Sequence, residues 1–375
     1  MTTRLKQDVL QGVWDGMRLF PFSLAAGVCS GFGLTGGFVT AVVCGVFGVV
    51  FGGAFFPTYL TLLPVYLLAF RFGAAGAGAA VLLGGVFTFF LSLLPAAARQ
   101  RLSDPALRAG FFPAAAFAVT ALETTNYFGI GAVGGTVRDI LADYVSLGFH
   151  PNWRGVLYGT IALVLLITYP RKFKTLHKKI SSAFVVLLIV LPLHLLLVPD
   201  AAHSPINEIG RPELFTLSDR LFLRGAFTPA AVPLVLCSAL SLALLTAPSL
   251  PDDRSRALSA AQLSVGFFGG VPCTADDGRR SRCGALVCAV LAAALYFLPG
   301  LSRMPVHALA VILIVTAWQH VDWGAIRKAF SSGKRSILLF LCALLLPILA
   351  DAHYAVPMLA ALSAITIPNR KSSQS

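Results

Sequence analysis

The run Gly266-Phe267-Phe268-Gly269-Gly270-Val271-Pro272-Cys273-Thr274 breaks an apolar segment with two adjacent glycines and a proline. Proline removes a backbone donor and crowds the preceding turn, so a helix entering from residue 260 is expected to stop here. A second short apolar segment, 57–70, opens at Pro57 in the other half of the chain. Short, Gly/Pro-interrupted apolar segments in corresponding places of two halves point to broken helices at a transport site. A pair of packing kinks reads the same spacing equally well.

The rest of the chain fits a membrane environment. Of 375 residues, 57% are hydrophobic and 12% charged, with a mean hydropathy of +0.80. A soluble domain carries about 25% charged residues, so a water-facing surface of ordinary size cannot be built. At about 20 residues per crossing, most of the chain can be membrane-embedded. The net charge of +13 does not indicate nucleic acid, because the basic residues sit in short clusters between apolar runs. The seven cysteines show no metal-like spacing, lie mostly within apolar runs and read as small buried hydrophobes. No cleavable signal peptide is expected at the N-terminus.

Candidate spans fall near 13–30, 34–54, 57–70, 74–95, 106–122, 153–169, 180–198, 229–247, 260–271, 284–299, 305–320, 336–350 and 354–368. Seven clusters, from Arg4/Lys6 to Arg370/Lys371, hold 21 of the 29 basic residues. If both interrupted segments keep the alternation of an inverted repeat, every cluster falls on the cytoplasmic side. Both termini are then expected in the cytoplasm, with the protein in the inner (cytoplasmic) membrane. The division expected is a first repeat at 1–198, an extracytoplasmic linker at 199–228 of mixed sign, and a second, shortened repeat at 229–375.

Several stretches together resemble the sulfate permease (SulP) family of anion transporters. Asp8-Val-Leu-Gln-Gly12 with Leu19-Phe-Pro21 looks like the family's first helix. Phe51-Gly-Gly and Phe56-Pro57-Thr58 look like the approach to its broken third helix. Asn152-Trp153 through Tyr169-Pro170-Arg171 resembles the sixth helix. Gly266 to Thr274 is similar to the family's Gly-Phe-Gly-Gly-x-Pro-x-Thr run, the most specific piece, and Leu298-Pro299 to Asp322 resembles the last loop and helix pair. The resemblance implies an all-α polytopic fold of about 13 segments here, a seven-plus-seven inverted repeat with a core unit packed on a gate unit. It implies substrate held between the N-termini of half-helices three and ten, whose partial positive charge and free N–H groups suit an oxyanion.

Departures from the family pattern are as informative. Only Ala275-Asp276-Asp277 stand between Thr274 and Gly278-Arg279-Arg280, where the family usually has a half-helix about ten residues longer. Extended chain covers about 3.3 Å per residue, so a few residues can still return from mid-membrane. The polar residue that often follows the proline of helix one is Phe22. The carboxylate expected in helix eight is Leu242, which puts cation coupling in doubt. The STAS domain that usually follows the last helix has no counterpart in this sequence.

The candidate substrate residues are therefore Pro57, Thr58, Tyr59, Phe22, Thr274, Asp276 and Asp277. Proline at the first helical position leaves no unmet donor of its own, so the following N–H groups and the Thr58 hydroxyl can face a ligand. Adjacent Asp276 and Asp277 could share a proton or a cation; the favoured reading is a solvated turn paired with Arg279 or Arg280. Asp15 and Arg18 lie at i,i+3 spacing, as a gating ion pair or as an interfacial pair with Arg18 snorkelling. His194 reads as a core histidine, and Glu123 and Asn126 are expected to end a helix at the outer face. The four tryptophans fall near span ends, as in an aromatic belt.

No Gly-x-Ser-x-Gly elbow, His pair or phosphate loop is present, so no enzyme, metal site or cofactor is expected. The expectation is a permease of a small anion such as sulfate, bicarbonate or a carboxylate, working by alternating access. Its partners would be that anion and the lipid bilayer, with a homodimer allowed by the family and no nucleic acid. The competing readings are a non-transporting membrane scaffold or partner subunit of the same fold, and a nucleobase or cation-linked carrier.

Overall fold

The computed structural model describes residues 3–102, 104–130, 136–197, 228–276 and 281–366. Asp277, the linker 199–227, Arg279, Arg280 and the C-terminal Arg370/Lys371 pair lie outside the described residues. The described residues are almost entirely helical. In chain order they form α1 (Thr3–Cys29), α2 (Gly33–Phe51), β1 (Phe55–Pro57), α3 (Tyr59–Ser92), α4 (Ala96–Arg101) and α5 (Pro105–Phe128). There follow α6 (Val137–Leu147), α7 (Trp153–Lys172), α8 (Lys174–His177), α9 (Ser182–Leu197) and α10 (Val232–Thr246). The last group is α11 (Asp252–Phe268), β2 (Cys273–Ala275), α12 (Arg282–Leu295), α13 (Val306–Gln319), α14 (Trp323–Ser331), α15 (Lys334–Leu349) and α16 (Asp351–Thr366).

Helices such as Gly33–Phe51, Pro105–Phe128 and Trp153–Lys172 are long and apolar enough to cross a membrane. With so many apolar helices, this is a multi-pass membrane protein. The expected spans recur with shifted limits. Segments 57–70 and 74–95 join as α3, whose two arms meet at Gly73 with φ 69°, a conformation that costs glycine nothing. The ninth span begins at Asp252, earlier than its apolar part suggests, because Asp252 and Asp253 occupy the first helical turn, where carboxylates suit the helix dipole.

Packing follows an inverted pattern. The second arm of α3 lies on α10 and α11, while α12 lies on α1 and α2. Small residues allow the close approach: Gly84 faces Leu242 and Gly85 faces Leu263. In the other half Gly12 abuts Gly284 and Gly45 abuts Ala289. Thus α12 repeats the second arm of α3. The first arm, Tyr59–Gly73, has no counterpart among the described residues. After β2 and Asp276, the next described residue is Ser281, which caps α12 by accepting from Gly284 N–H at 3.0 Å.

The second group of helices packs around α5, against which α13, α15, α14, α7 and α6 lie. It therefore forms a gate body beside the core body of α1–α3 and α10–α12. Polar bonds join the element ends that carry basic clusters. Buried Arg99 binds the Leu250 carbonyl, Ser255 Oγ and Asp252. Arg254 reaches the Gly52 carbonyl, and Ser363 Oγ donates to the Arg101 carbonyl at 2.7 Å. Arg18 donates to the Lys178 carbonyl at 2.8 Å. The first three sets of contacts bring the ends of α2, α4 and α16 and the start of α11 together on one side of the molecule.

Candidate functional site

Two extended tripeptides meet in the middle of the core. β1 and β2 are antiparallel, with Phe55 opposite Ala275, Phe56 opposite Thr274 and Pro57 opposite Cys273. The interrupted segments found in the sequence thus touch each other, although 216 residues separate Pro57 from Cys273. Backbone polarity requires partners at membrane depth, and buried side chains supply them. Gln262 Nε2 donates to the Cys273 carbonyl at 3.1 Å, while its Oε1 accepts from Thr88 at 3.0 Å. Val271 N–H donates to Thr40 Oγ1 at 2.6 Å. Asp276 N–H donates to the Ala54 carbonyl at 2.9 Å.

β1 delivers the chain into α3 through a capping box. Thr58 is extended (φ −136°, ψ 156°), and its hydroxyl accepts from Thr61 N–H at 3.3 Å. Thr61 Oγ1 accepts in turn from Thr58 N–H at 3.3 Å and lies 2.9 Å from the Pro272 carbonyl, to which it can donate. The Tyr59 and Leu60 amides, at the first two helical positions, have no intrahelical acceptor. The positive end of the α3 dipole therefore sits beside the strand crossing.

A cavity of about 170 Å³ opens at this point. Thr58, Leu60 and Thr61 line it from α3, Thr274 from β2, and Leu244, Leu245 and Thr246 from α10. Its gate wall is Leu107, Arg108, Phe111 and Phe112 of α5 with Val356, Leu359 and Ala360 of α16. Arg108 is exposed, with its guanidinium carbon 5.7 Å from the centroid of the Phe112 ring. No acidic side chain is among the described lining residues. One guanidinium, four threonine hydroxyls and a helix N-terminus make this an anion-favouring space.

Of the residues singled out by sequence, Thr58 and Thr274 line the cavity. Pro57 is buried in the strand pair. Tyr59 turns into the core, only 2% exposed, with its ring 6.0 Å from that of His320. Phe22 is half-buried and packs on the core, away from the cavity lining. Asp276 is exposed at the end of β2, and Asp277 lies outside the described residues. Asp15 is buried and Arg18 exposed on α1.

Two residues gain a place that sequence reading did not assign. Arg108 counted there only as part of a basic cluster; its i,i+4 relation to Phe112 was the available signal. Glu123 was expected at an outer helix end. Instead α5 continues to Phe128, with Gly129 as a left-handed C-cap (φ 65°), and Glu123 is fully buried. Its oxygens accept from Tyr66 at 3.2 Å and Asn126 at 2.9 Å. His194 is buried in ring contact with Tyr158, centroids 5.1 Å apart.

No family model matches the chain. The chain is 24% identical to the bicarbonate transporter BicA of Picosynechococcus sp., over 94% of its own length and 68% of that protein. It is also 24% identical to the sulfate transporter YvdB of Bacillus subtilis, over 84% of its length and 64% of the other. Among solved structures, it superposes on the transmembrane domain of a cyanobacterial BicA with a TM-score of 0.75. That match has 19% identity and covers 95% of this chain and 98% of the other. Murine Slc26a9, an anion transporter in its inward-facing state, superposes with a TM-score of 0.72 and 13% identity. There 97% of this chain matches 68% of the other.

Proposed function

This chain resembles the sulfate permease transporters in sequence and shares their membrane fold, and from that premise we propose that it carries a small anion across the membrane by alternating access. The observation that supports this reading is the juxtaposition at the strand crossing. The N-terminus of α3 and Thr274 of β2 face the same cavity, with Arg108 on the opposite wall.

In this mechanism the anion displaces water at Thr58 and Leu60, where the first helical N–H groups and the Thr58 and Thr274 hydroxyls replace its hydration. Pro57 supports them by ending the strand without an unmet donor. Arg108 neutralises the charge from the gate side. The core body then slides past the gate body with the anion on it, so that the same groups meet water on the other face. Asp276, just past β2, is the exit from the half-site that has no half-helix of its own among the described residues, and Asp277 follows it in sequence. Asp15 and Arg18 lie on the first core helix, where α1 meets the α8–α9 turn. The basic face of the molecule is the cytoplasmic one in this reading, with both termini there and the inner (cytoplasmic) membrane as the location.

The substrate class is a small oxyanion: sulfate, bicarbonate or a carboxylate. The test is uptake of labelled sulfate, bicarbonate and succinate into proteoliposomes. Saturable uptake that Thr58→Ala and Arg108→Ala weaken supports the proposal. A second reading, a non-transporting scaffold of the same fold, is favoured by one feature, the lack of a half-helix between β2 and α12 among the described residues. Folded protein with no flux of any of these anions would favour it.

A further inference from the structure

A carboxylate sits at the seam between the two bodies, away from the anion cavity. Glu123 projects from gate helix α5 and is fully buried. Its partners come from the core: the Tyr66 hydroxyl of α3 donates to Oε1 at 3.2 Å, and the Cys29 thiol of α1 faces it. Asn126, one turn along α5, donates to Oε2 at 2.9 Å. No cation lies at ion-pair distance from Glu123 among the described residues. Helices α6, α7, α13, α14, α15 and α16 also pack on α5, yet Cys29 and Tyr66 are the titratable groups that act on it. His307 of α13 lies against Gly129 and Gly155 instead.

A buried carboxylate without a cation is costly when ionised and acceptable when protonated. Tyr66 lies on the same half-helix arm whose first turn meets the anion cavity, eight residues beyond Thr58, or about 12 Å along the axis. Any movement of that arm relative to α5 breaks the Tyr66–Glu123 bond and lets water reach the carboxyl. We propose that Glu123 is a proton-binding latch between gate and core. The carboxyl holds one proton while the seam is closed and loses it to water when the core arm moves. Reclosing the seam takes the proton back. Low pH on the side from which water reaches Glu123 therefore holds the protein in the conformer described here, and higher pH frees the core to move. This acidic site is on α5, whereas the acid missing at Leu242 would have been on α10.

The inference rests on the alternating-access reading for its effect on transport, but its conformational part can be read without transport. Cys29 is 6% exposed beside Glu123, so its labelling by a maleimide, quantified by mass spectrometry of the full-length protein in proteoliposomes, reports an open seam. Between about pH 5 and pH 8, Cys29 labelling, taken as its ratio to that of Glu123→Gln, and anion exchange are expected to rise together. The rise is limited to about tenfold per pH unit for one linked proton. Glu123→Gln, which keeps the closed-state shape, is compared at each pH, which removes the thiol's own pH dependence. It is expected to hold anion exchange at the wild-type acid level throughout, its labelling changing only with the thiol's own ionisation. Tyr66→Phe, which keeps the ring, is expected to move the midpoint without flattening the profile. A Glu123→Gln profile that follows wild type, or a wild-type labelling ratio to Glu123→Gln that is flat with pH, overturns the latch. Absent anion exchange with pH-dependent Cys29 labelling overturns the transport reading and leaves the latch standing.

Discussion

Thr274 stands directly opposite Phe56 in a two-stranded antiparallel pair, two residues before the Thr58 cap of α3. The chain's two halves thus present a hydroxyl and a helix N-terminus to one cavity. The cavity's one lining cation among the described residues, Arg108, comes from the opposing body. An anion held there touches both bodies.

Arg108 should therefore govern affinity more than folding. It is exposed, and among the described residues its side chain contacts the Phe112 ring, so Arg108→Ala is expected to leave the melting temperature within about 1 °C, as for ordinary surface changes. KM for anion uptake should rise about tenfold, the lower end of the range of about 1.5–3 kcal/mol typical of hydrogen bonds to charged groups. Arg108→Lys should restore part of the loss, since lysine keeps the charge without the fork. Concentration-dependent uptake of both variants checks this.

Arg99 should behave in the opposite way. It is 2% exposed and joins α4 to the start of α11 through the Leu250 carbonyl, Ser255 and Asp252. Arg99→Met leaves a carbonyl and a hydroxyl without that donor and is expected to destabilise by about 2 kcal/mol. Asp252→Asn should cost under about 1 kcal/mol, because its carboxylate side chain is 57% exposed and water replaces the partner. Thermal unfolding in detergent, wild type against each variant, separates the two.

Gly85 marks a close approach of α3 to α11. A Cβ there would lie 2.8 Å from the Leu263 nitrogen and 3.0 Å from the Ser259 carbonyl. Gly85→Val must push two backbones apart and break the Ser259 Oγ bond to the Gly85 carbonyl, 2.8 Å long. The expected cost is about 3 kcal/mol, at the upper end for overpacking, read as lost monodisperse protein in size-exclusion chromatography. Unchanged yield and melting temperature would contradict the described contact.

The α8 turn predicts a pH effect on stability. His177 lies outside the membrane-spanning helices, and burial, with the nearby Arg18 charge, holds its imidazole below the ordinary value of about 6.5. The unfolded chain then binds the extra proton more readily. The contribution is complete above the unfolded value and declines as pH falls through it toward the lower folded value. His177→Asn should reduce the drop in melting temperature between about pH 7 and pH 5.5, measured in detergent at constant salt.

Much of this architecture was legible because it is written in local chemistry. Gly269-Gly270 and Pro272 break a helix wherever they occur, and Pro57-Thr58 starts one, so both half-sites could be found before their contact was known. The short path from Thr274 to Arg282 likewise left no length for another half-helix. The amphipathic α6 and α14 escaped, because each is short and polar on one face and gives no apolar run. Tyr59 and Phe22 were placed at the substrate by family likeness, yet their rings turn into the core. The cavity position of Arg108 was not read from sequence, and the burial of Glu123 was not expected, for a related reason. A charge's meaning depends on what the folded chain sets opposite it, and neither Thr58 nor Tyr66 is near α5 in sequence.

The central claim is that the Thr58–Thr274 cavity carries an anion across the bilayer. Its most direct test is counterflow of labelled sulfate and bicarbonate in proteoliposomes containing wild type or Thr274→Val, which keeps the side-chain volume and removes the hydroxyl. The account predicts saturable wild-type counterflow of at least one of the two anions. In Thr274→Val that counterflow should fall severalfold, with an unchanged melting temperature. Equal counterflow by folded wild-type and variant protein, or none by either, would contradict it.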